Sequence, residues 1–496
     1  MNEGKKVRRV AVIGGGVAGL AAAYTLARAR QSGAPVEEML FEASPWLGGV
    51  IRTETVDGFV VEAGPDSFLA EKPQAAAMAR VLGLGNDLMG SNDHARRTYI
   101  AHRGRLVPLP DGLMFLVPTR LWPMITTRLL PLSAKLAAVR EMFYSPPNGE
   151  REDESVASFV RRHFGAAMVE NIADPLLAGV YGGDSAELSV RSVLPRFYEM
   201  ERQHGSLTRA TLKGMRERNA AKKKIDGVTA KDVAAPSSLP LFMTLKGGLQ
   251  QMTVRLASQV DKNRVFMCRR VAGLELASGG PGGAADSCSR RFKIACEGDK
   301  VYDADAVILA LPANLAGGLV SAVDPRLSEL LAGIPYSSSM TVTLGFDAHA
   351  RAALPPGFGF LVPRKEQRRM LACTFVHAKF DHRVPEGKAL LRCFLGGARD
   401  PDVLGVPDED VVHGVRRELS DLMNFTAEPL FYRVHRWPGA MAQYPVGHTA
   451  RVAAIEQRLQ ELPGLYLAGN AFSGIGISDC IRTGKGAAEK AVRGKR

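Results

Sequence analysis

Cysteine is scarce in this chain, and the few cysteines are not spaced as metal ligands. The 496 residues include six cysteines, and no two of them form a CxxC pair. Zinc sites and disulfide-rich secreted domains depend on such pairs or on a dense cysteine framework. The sequence therefore argues against both, and we expect no metal ion. Buried thiols in a reducing compartment are the remaining interpretation.

Long hydrophobic runs are also missing. No uninterrupted apolar stretch approaches the roughly 18 residues that a membrane-spanning helix needs. The basic segment Lys5–Arg9, followed by apolar Val10–Ile13, imitates the start of a signal peptide, but three glycines interrupt the apolar part. We expect no signal peptide and no transmembrane helix, and a cytoplasmic location.

The signals of a nucleic-acid-binding protein are absent although the chain is basic. It has 64 Lys and Arg against 51 Asp and Glu, a net charge of +13. There is no zinc-finger spacing and no compact basic run interleaved with aromatics, so we expect no nucleic-acid partner. A basic excess also suits anionic lipid or an acidic small molecule.

The composition is that of a folded globular protein. Hydrophobic residues make up 46% of the chain, with a mean hydropathy of −0.04. At this length one hydrophobic core is not enough, so we expect two or three domains. We find no internal repeats.

A glycine-rich turn near the start carries the first functional signal. A short β-branched strand leads into Gly14, Gly16 and Gly19, which fit GxGxxG, and an alanine-rich helix follows. A second strand ends at Glu42, about 20 residues further on, where an acid binds the ribose of a dinucleotide. The glycines allow a tight turn, close approach of a pyrophosphate and close helix packing.

The rest of the sequence favours FAD over NAD. A glycine pair, Gly48 and Gly49, follows the acidic residue, and no second GxGxxG offers a site for a nicotinamide. Near the other end, 464–469 reads as a strand, and glycine-rich 474–484 opens a last helix, which suits the flavin end of FAD. Cys480 falls inside that helix, so we expect the FAD to be bound non-covalently.

Several further segments, in this order, carry a family resemblance. Together with the dinucleotide fingerprint they resemble the glutathione-reductase-type FAD fold in its amine-oxidase branch, and more closely the protoporphyrinogen oxidase family. The resemblance covers almost the whole chain. The segments are Gly64–Phe68, Gly179–Asp184, Lys246–Gln250, Gly357–Pro363, Phe394–Arg399, Arg436–Trp437, Gln443–Tyr444 and Leu467–Asn470.

The resemblance implies an α/β fold with a discontinuous architecture. A Rossmann-type FAD-binding domain would comprise residues 1–90, 240–316 and 437–496. A helical, membrane-associating subdomain would span 91–200. A β-sheet substrate-binding domain would comprise 201–239 and 317–436.

The resemblance also implies the site residues. Leu361 and Leu371 would sandwich one pyrrole ring, Phe394 would stack on another, the Gly179 carbonyl would face the ring nitrogens, and Arg97 would pair with a propionate. No residue is assigned as a catalytic acid or base, because the substrate needs positioning more than proton transfer. The expected FAD contacts are Gly14, Gly15, Gly16, Val17, Ala18, Gly19, Glu42, Gly48, Gly49, Gly64, Val271, Trp437, Gly469, Asn470, Gly476 and Ile477.

Two positions depart from the family pattern. Trp46 stands where the amine-oxidase branch commonly has an arginine. Thr98 stands where some family members carry the arginine thought to bind a propionate. Either Arg96 or Arg97 could reach the anion instead.

The expected reaction is the oxidation of protoporphyrinogen IX to protoporphyrin IX in haem biosynthesis. It removes six electrons through FAD, and molecular oxygen takes them up as hydrogen peroxide. Coproporphyrinogen III is the alternative substrate. More distant alternatives are a flavin amine oxidase, a carotenoid desaturase and a non-catalytic flavoprotein. The sequence does not distinguish a homodimer from a monomer.

The stretch Leu109–Phe143 allows two interpretations. It mixes apolar residues, Phe115 and Trp122 among them, with scattered cations, and positions 129, 132, 136, 139 and 143 fall on one helix face. That face would be buried in the core of a helical subdomain, or it would lie on a membrane surface with anionic headgroups. The second interpretation predicts peripheral membrane association.

Overall fold

The computed structural model describes residues 7–114, 116–147, 149, 151–226, 239–277 and 292–494. Two large sheets and a group of helices make up the described chain. Their arrangement is α/β, as expected.

A five-stranded parallel sheet contains both ends of the chain. Its central strand has no exposed side chain from Val10 to Val12, since helices and a small sheet cover both faces. On one face, helices Val17–Gln31 and Ile477–Arg493 pack closely, because a Cβ at Gly484 would lie 2.0 Å from the Ala18 carbonyl oxygen. In spatial order the strands are Val265–Phe266, Val36–Phe41, Arg8–Ile13, Ala306–Leu309 and Leu465–Leu467.

A three-stranded antiparallel sheet covers the other face of the parallel sheet. Its strands are Val271–Leu276, Phe292–Cys296 and Lys300–Ala304. Helices Ala313–Val320 and Pro325–Ala332 close the same core.

A seven-stranded mixed sheet forms the second layer. One face of this sheet, with Val342, Cys393 and Leu395, is covered by helix Asp408–Met423. In spatial order the strands are Phe431–Ala442, Tyr336–Phe346, Ala389–Gly396, Met370–Phe375, Gly359–Leu361, Thr98–His102 and Arg105–Pro108.

A helical unit lies beside this sheet and has its own core, which includes Phe159, Phe164 and Leu177. Its helices are Leu121–Thr126, Leu132–Glu141, Val156–Phe164, Ala166–Met168, Asp174–Tyr181, Val190–Val193, Pro195–His204 and Leu207–Asp226, with a π-helical turn at Val169–Ala173.

The remaining elements are short or peripheral. The helices are Gln74–Val81, Gln250–Ser258, Ala348–Ala352, Val376–Lys379 and His448–Gln460. The strands are Thr53–Val56, Phe59–Glu62, Phe68–Leu69, Leu88–Gly90, Leu113–Met114, Val117–Pro118 and Phe242–Leu245.

The structure moves three segments across the expected domain boundaries. Residues 98–108, expected in the helical subdomain, form a hairpin of the seven-stranded sheet. Arg103 and Gly104 have positive φ, as the tight turn between two antiparallel strands requires. Residues 201–226, expected in the substrate domain, are helical, and Leu207 packs in the helical core. Residues 437–442 continue the edge strand of the sheet, because their backbone stays paired with the next strand.

The apolar face of the stretch that ends at Phe143 points outward. Leu129 is buried, but Leu132, Leu136 and Phe143 are 71%, 61% and 78% exposed. Alanines 134 and 138 on the other side of the helix face the core instead. The core interpretation of positions 132, 136, 139 and 143 is therefore wrong, since small residues allow closer helix packing there. Phe115, assigned to the same surface, lies outside the described residues.

Within the ranges given above, no helix is both long and apolar enough to cross a bilayer. Nor do these residues group three His, Cys, Asp or Glu side chains in a way that could bind a metal ion.

Candidate active site

The fingerprint glycines form the turn between the first strand and the first helix. Gly14 donates its N–H to the Phe41 carbonyl at 2.8 Å, and Gly15 donates to Glu42 Oε2 at 2.7 Å. A Cβ on Gly19 would lie 1.8 Å from the Gly14 carbonyl oxygen, so only glycine fits there. The turn and the acidic residue therefore meet, as the spacing predicts.

The space beside Gly16 fits a pyrophosphate. A Cβ built on Gly16 meets no protein atom within 4 Å, whereas Gly14 and Gly19 are tightly surrounded. Helix Val17–Gln31 begins there without a capping side chain and without an acidic residue in its first turn. Its first N–H groups are thus available to an anion, and Val17 and Ala18 contribute them.

The second glycine pair lies against this turn. Gly48 donates to the Gly15 carbonyl at 2.8 Å, and both Gly48 and Gly49 have positive φ. Gly64 packs on Val50, the residue after this glycine pair, because a Cβ on Gly64 would lie 1.8 Å from the Val50 carbonyl oxygen. Glycines from three separate segments therefore lie close together.

A turn near the C-terminal end of the chain contains the next group of expected cofactor residues. Gly469 has φ +129°, and Asn470 donates from its side chain to the Ala440 carbonyl at 3.2 Å. Gly476 precedes helix Ile477–Arg493, whose first turn contains Asp479. A carboxylate at that helix start disfavours a phosphate, which favours the first helix as the pyrophosphate site; the position of each part of FAD stays a prediction.

The other two expected cofactor residues occupy different surroundings. Val271 begins the small antiparallel sheet and is buried in one cluster with Ile13 and Phe41, next to the dinucleotide turn. Trp437 donates from Nε1 to the Ala63 carbonyl at 2.9 Å, one residue before Gly64. Direct contact of each residue with FAD stays a prediction.

One face of the seven-stranded sheet brings the expected substrate residues together. Leu361 pairs with Ala372, and Ala372 pairs with Phe394, so their side chains share a face. Cys393 and Leu395 are buried on the opposite face, which confirms the alternation predicted for this strand. The row continues to Thr341, whose hydroxyl donates to the Ala63 carbonyl at 3.0 Å and so reaches the FAD side.

Gly179 lies over this row. A Cβ on Gly179 would lie 3.3 Å from Leu361 Cδ2, and the residue is exposed on helix Asp174–Tyr181. Arg399 holds that helix against the sheet, because it binds Asp174 at 2.5 Å and the Val362 carbonyl at 3.0 Å. A residue with a larger side chain at position 179 would press against Leu361.

Leu371 and Arg97 are placed differently. Leu371 is buried next to a bulge of its strand, beside the Phe394 row. Arg97 is exposed and precedes the strand in which Ile100 pairs with Leu361, roughly 10 Å away along the chain. The structure thus groups Gly179, Leu361 and Phe394, and it leaves Arg97 at the rim.

A buried ionic cluster beside Phe394, on the same face of the sheet, has no role in the sequence analysis. Lys379 Nζ lies 3.1 Å from Asp66 Oδ2, and Arg392 donates to the Gly64 carbonyl. Burial alone would raise the pKa of the Asp66 carboxyl, but Lys379 and Arg392 hold it well below its usual value. Burial lowers the pKa of Lys379, and Asp66 opposes that decrease. Asp66 lies within Gly64–Phe68, one of the segments that carry the family resemblance, and this was the only sequence signal that could have pointed to the cluster.

The fold and the glycine segments together define a class of protein. A dinucleotide turn, two further glycine segments and an apolar sheet face beside them describe a flavoprotein oxidoreductase that binds FAD and encloses an organic substrate. The family model "Flavin containing amine oxidoreductase" matches residues 17–492, and the chain belongs to this family. It is an FAD-dependent oxidoreductase.

Similar proteins match over nearly the full length. The coproporphyrinogen III oxidase of Bacillus subtilis is 35% identical over 494 residues, 99% of each chain. The chloroplastic protoporphyrinogen oxidase 1 of Arabidopsis thaliana is 27% identical, over 97% of this chain and 87% of its own. A solved structure from Exiguobacterium sp. 255-15, provisionally described as a protoporphyrinogen oxidase, superposes with a TM-score of 0.82 at 28% identity, covering 99% and 100%.

Proposed function

We propose that this enzyme oxidises a porphyrinogen to the corresponding porphyrin, in haem biosynthesis. The observation that carries the proposal is full-length similarity to relatives named for that reaction, at up to 35% identity. Three two-electron oxidations would pass through FAD to molecular oxygen, with one hydrogen peroxide formed each time.

The residues of the sheet face would position the substrate. Leu361 and Phe394 offer apolar surface to a flat macrocycle, and glycine at position 179 avoids the close contact that a Cβ would make with Leu361. Thr341 and Trp437 both donate to the Ala63 carbonyl and so hold this face against the FAD-binding segment. Such fixed placement of the reacting carbon against the flavin supplies catalysis without a strong base. Arg97 at the rim would meet a propionate.

Protoporphyrinogen IX and coproporphyrinogen III are the two candidate substrates. The expected substrate, protoporphyrinogen IX, is supported by relatives such as the Arabidopsis enzyme. One observation favours coproporphyrinogen III, because relatives named for it reach 30% to 35% identity, above the 27% of the plant enzymes. Its four propionates also suit a basic protein.

A side-by-side assay tests both substrates. Each would be added without oxygen to the yellow holoenzyme, and bleaching of the flavin would show electron transfer. With oxygen, porphyrin fluorescence and peroxide should rise together, with three peroxides for each porphyrin. Bleaching by amines and by neither porphyrinogen would instead identify an amine oxidase.

We also propose that the protein binds membranes peripherally through its helical unit. Leu132, Leu136, Val139 and Phe143 form an outward apolar face on one helix and its end. Lys135 and Arg140 on the same segment would meet anionic headgroups.

Light scattering of the holoenzyme would separately distinguish the homodimer from the monomer.

A further inference from the structure

We propose that the buried cluster of Glu62, Asp66, Lys379, Arg383 and Arg392 raises the reduction potential of the bound FAD. The cluster would act as a fixed positive charge beside the cofactor. It would favour the flavin form that has gained electrons. The inference depends on FAD binding alone and not on the identity of the substrate.

The cluster touches Gly64, one of the residues expected to contact FAD. Arg392 donates to the Gly64 carbonyl, and Gly64 packs on Val50, which follows the glycine pair at 48 and 49. The Arg392 guanidinium also lies 4.8 Å from the centroid of the Phe394 ring. Arg392 therefore stands between the expected cofactor and substrate surfaces.

The cluster holds more positive than negative charge. Lys379 pairs with Asp66 at 3.1 Å, and Arg383 pairs with Glu62 at 2.8 Å. Arg392 has no carboxylate of its own, since its nearest is the already paired Asp66 at 3.8 Å. One positive charge is thus left in excess.

Hydrogen bonding shows the same excess of donors. The Nε atoms of Arg383 and Arg392 and the Thr343 hydroxyl are buried, and none has a partner among the residues that the structure describes. All three residues line a cavity of about 10 Å³, in which one water molecule fits. The cluster is not neutralised from within.

Positive charge near a flavin stabilises the negative charge that the ring gains on reduction. In a low-dielectric interior, screening is weak, and a unit charge roughly 10 Å away changes such an equilibrium by about tenfold. For a two-electron couple, tenfold corresponds to about 30 mV.

Charge variants of the Asp66–Lys379 pair test the inference. Lys379→Met removes the excess charge, Asp66→Asn increases it, and the double variant restores it. The readouts are the flavin midpoint potential and the dissociation constant for sulfite, which adds to flavin N5 and leaves negative charge on the ring. Lys300→Met, an exposed lysine on the small antiparallel sheet, is the matched control.

The expected results have opposite signs. Lys379→Met should lower the potential and weaken sulfite binding about tenfold, Asp66→Asn should do the reverse, and the double variant should return towards wild type. Shifts of the same sign in both single variants, or none across neutral pH, would overturn the inference. Should Lys379→Met not fold, the rise expected for Asp66→Asn decides alone. FAD content and thermal unfolding are measured on every variant.

Discussion

Gly16 is a position at which an added side chain should block the ligand without disturbing the fold of the dinucleotide turn. Its φ of −68° is ordinary for any residue, and an added Cβ meets no protein atom within 4 Å. Gly16→Val should therefore fold but exclude the pyrophosphate, giving colourless protein. The measurement is the flavin-to-protein absorbance ratio, together with the circular dichroism spectrum.

Variants at two other glycines serve as controls for Gly16→Val. Gly318→Val places the same side chain in open space, at an exposed position of helix Ala313–Val320, and the protein should keep its FAD. Gly19→Val should not fold, because its Cβ would lie 1.8 Å from the Gly14 carbonyl oxygen. A fully flavinated Gly16→Val protein would show that the pyrophosphate lies elsewhere.

Phe394 tests the substrate face. Phe394→Ala removes an apolar contact of about 1–3 kcal/mol with the substrate. We expect a raised KM, and a lower kcat if the ring also aligns the reacting carbon. Steady-state kinetics with the better porphyrinogen measures both.

The same variant should retain its fold and its flavin. Phe394 is only half-buried, unlike Cys393 beside it, so its loss leaves no closed cavity in the core. Phe394→Leu, which keeps apolar area without the ring, should fall between the two. Wild-type kinetics in a flavinated Phe394→Ala protein would refute the placement, and failure to fold would favour a core-packing role.

At the scale of elements, helix Leu132–Glu141 and the residues after it should bind a bilayer surface. Replacement of Leu136 and Phe143 by serine should abolish co-sedimentation with anionic liposomes, because the buried apolar area is lost. Thermal stability should hardly change, since both side chains are already exposed.

An exposed apolar residue elsewhere provides the control. Val254 is 57% exposed on helix Gln250–Ser258, and Val254→Ser should sediment with liposomes as wild type does. Wild-type protein that ignores liposomes of every composition would leave this face without a membrane role.

His163 connects three elements of the helical unit through buried charge. Its Nδ1 lies 3.2 Å from Glu141 and its Nε2 3.4 Å from Glu201. Burial would lower the pKa of His163, but these carboxylates outweigh it and raise the pKa above its ordinary value. The stabilisation is therefore complete below the unfolded pKa of about 6.5 and is lost as pH rises through the folded pKa.

His163→Gln should thus cost about 3 kcal/mol in mildly acidic buffer and less in alkaline buffer. Urea unfolding over a pH series measures the difference. The opposite effect belongs to Glu201, whose pKa falls to about 2, so its contribution is lost only in acid. Parallel profiles for wild type and variant would mean that His163 is neutral in the folded protein.

At the scale of the whole molecule, the expected FAD contacts come from both ends of the chain. They lie at 14–19, around the start of helix Val17–Gln31, and at 469–477, where helix Ile477–Arg493 begins, and these two helices pack against each other. Ligand binding to the folded state alone should stabilise it by about 4 kcal/mol at a thousandfold excess over Kd. Thermal unfolding with increasing FAD tests this, and FMN, which lacks the adenylate, should not substitute.

The sequence predicted the meeting of the dinucleotide turn with Glu42 because these signals are local. Gly14, Gly16 and Gly19 act within one turn, and Glu42 ends the adjacent strand, so spacing alone brings them together. Strand alternation at Phe394 is equally local. The sequence analysis missed the hairpin at 98–108, because the first strand of this hairpin is stabilised by pairing with residues 359–361, far along the chain.

The FAD class, the α/β fold and the order of the glycine segments were therefore determined by sequence patterns of a few residues. Tertiary structure alone decided which way the apolar helix face at 132–143 points, because that depends on whether small or large residues pack inward. It also decided the excess positive charge beside Phe394. Glu62, Asp66, Lys379, Arg383 and Arg392 lie up to several hundred residues apart, and only folding buries them together.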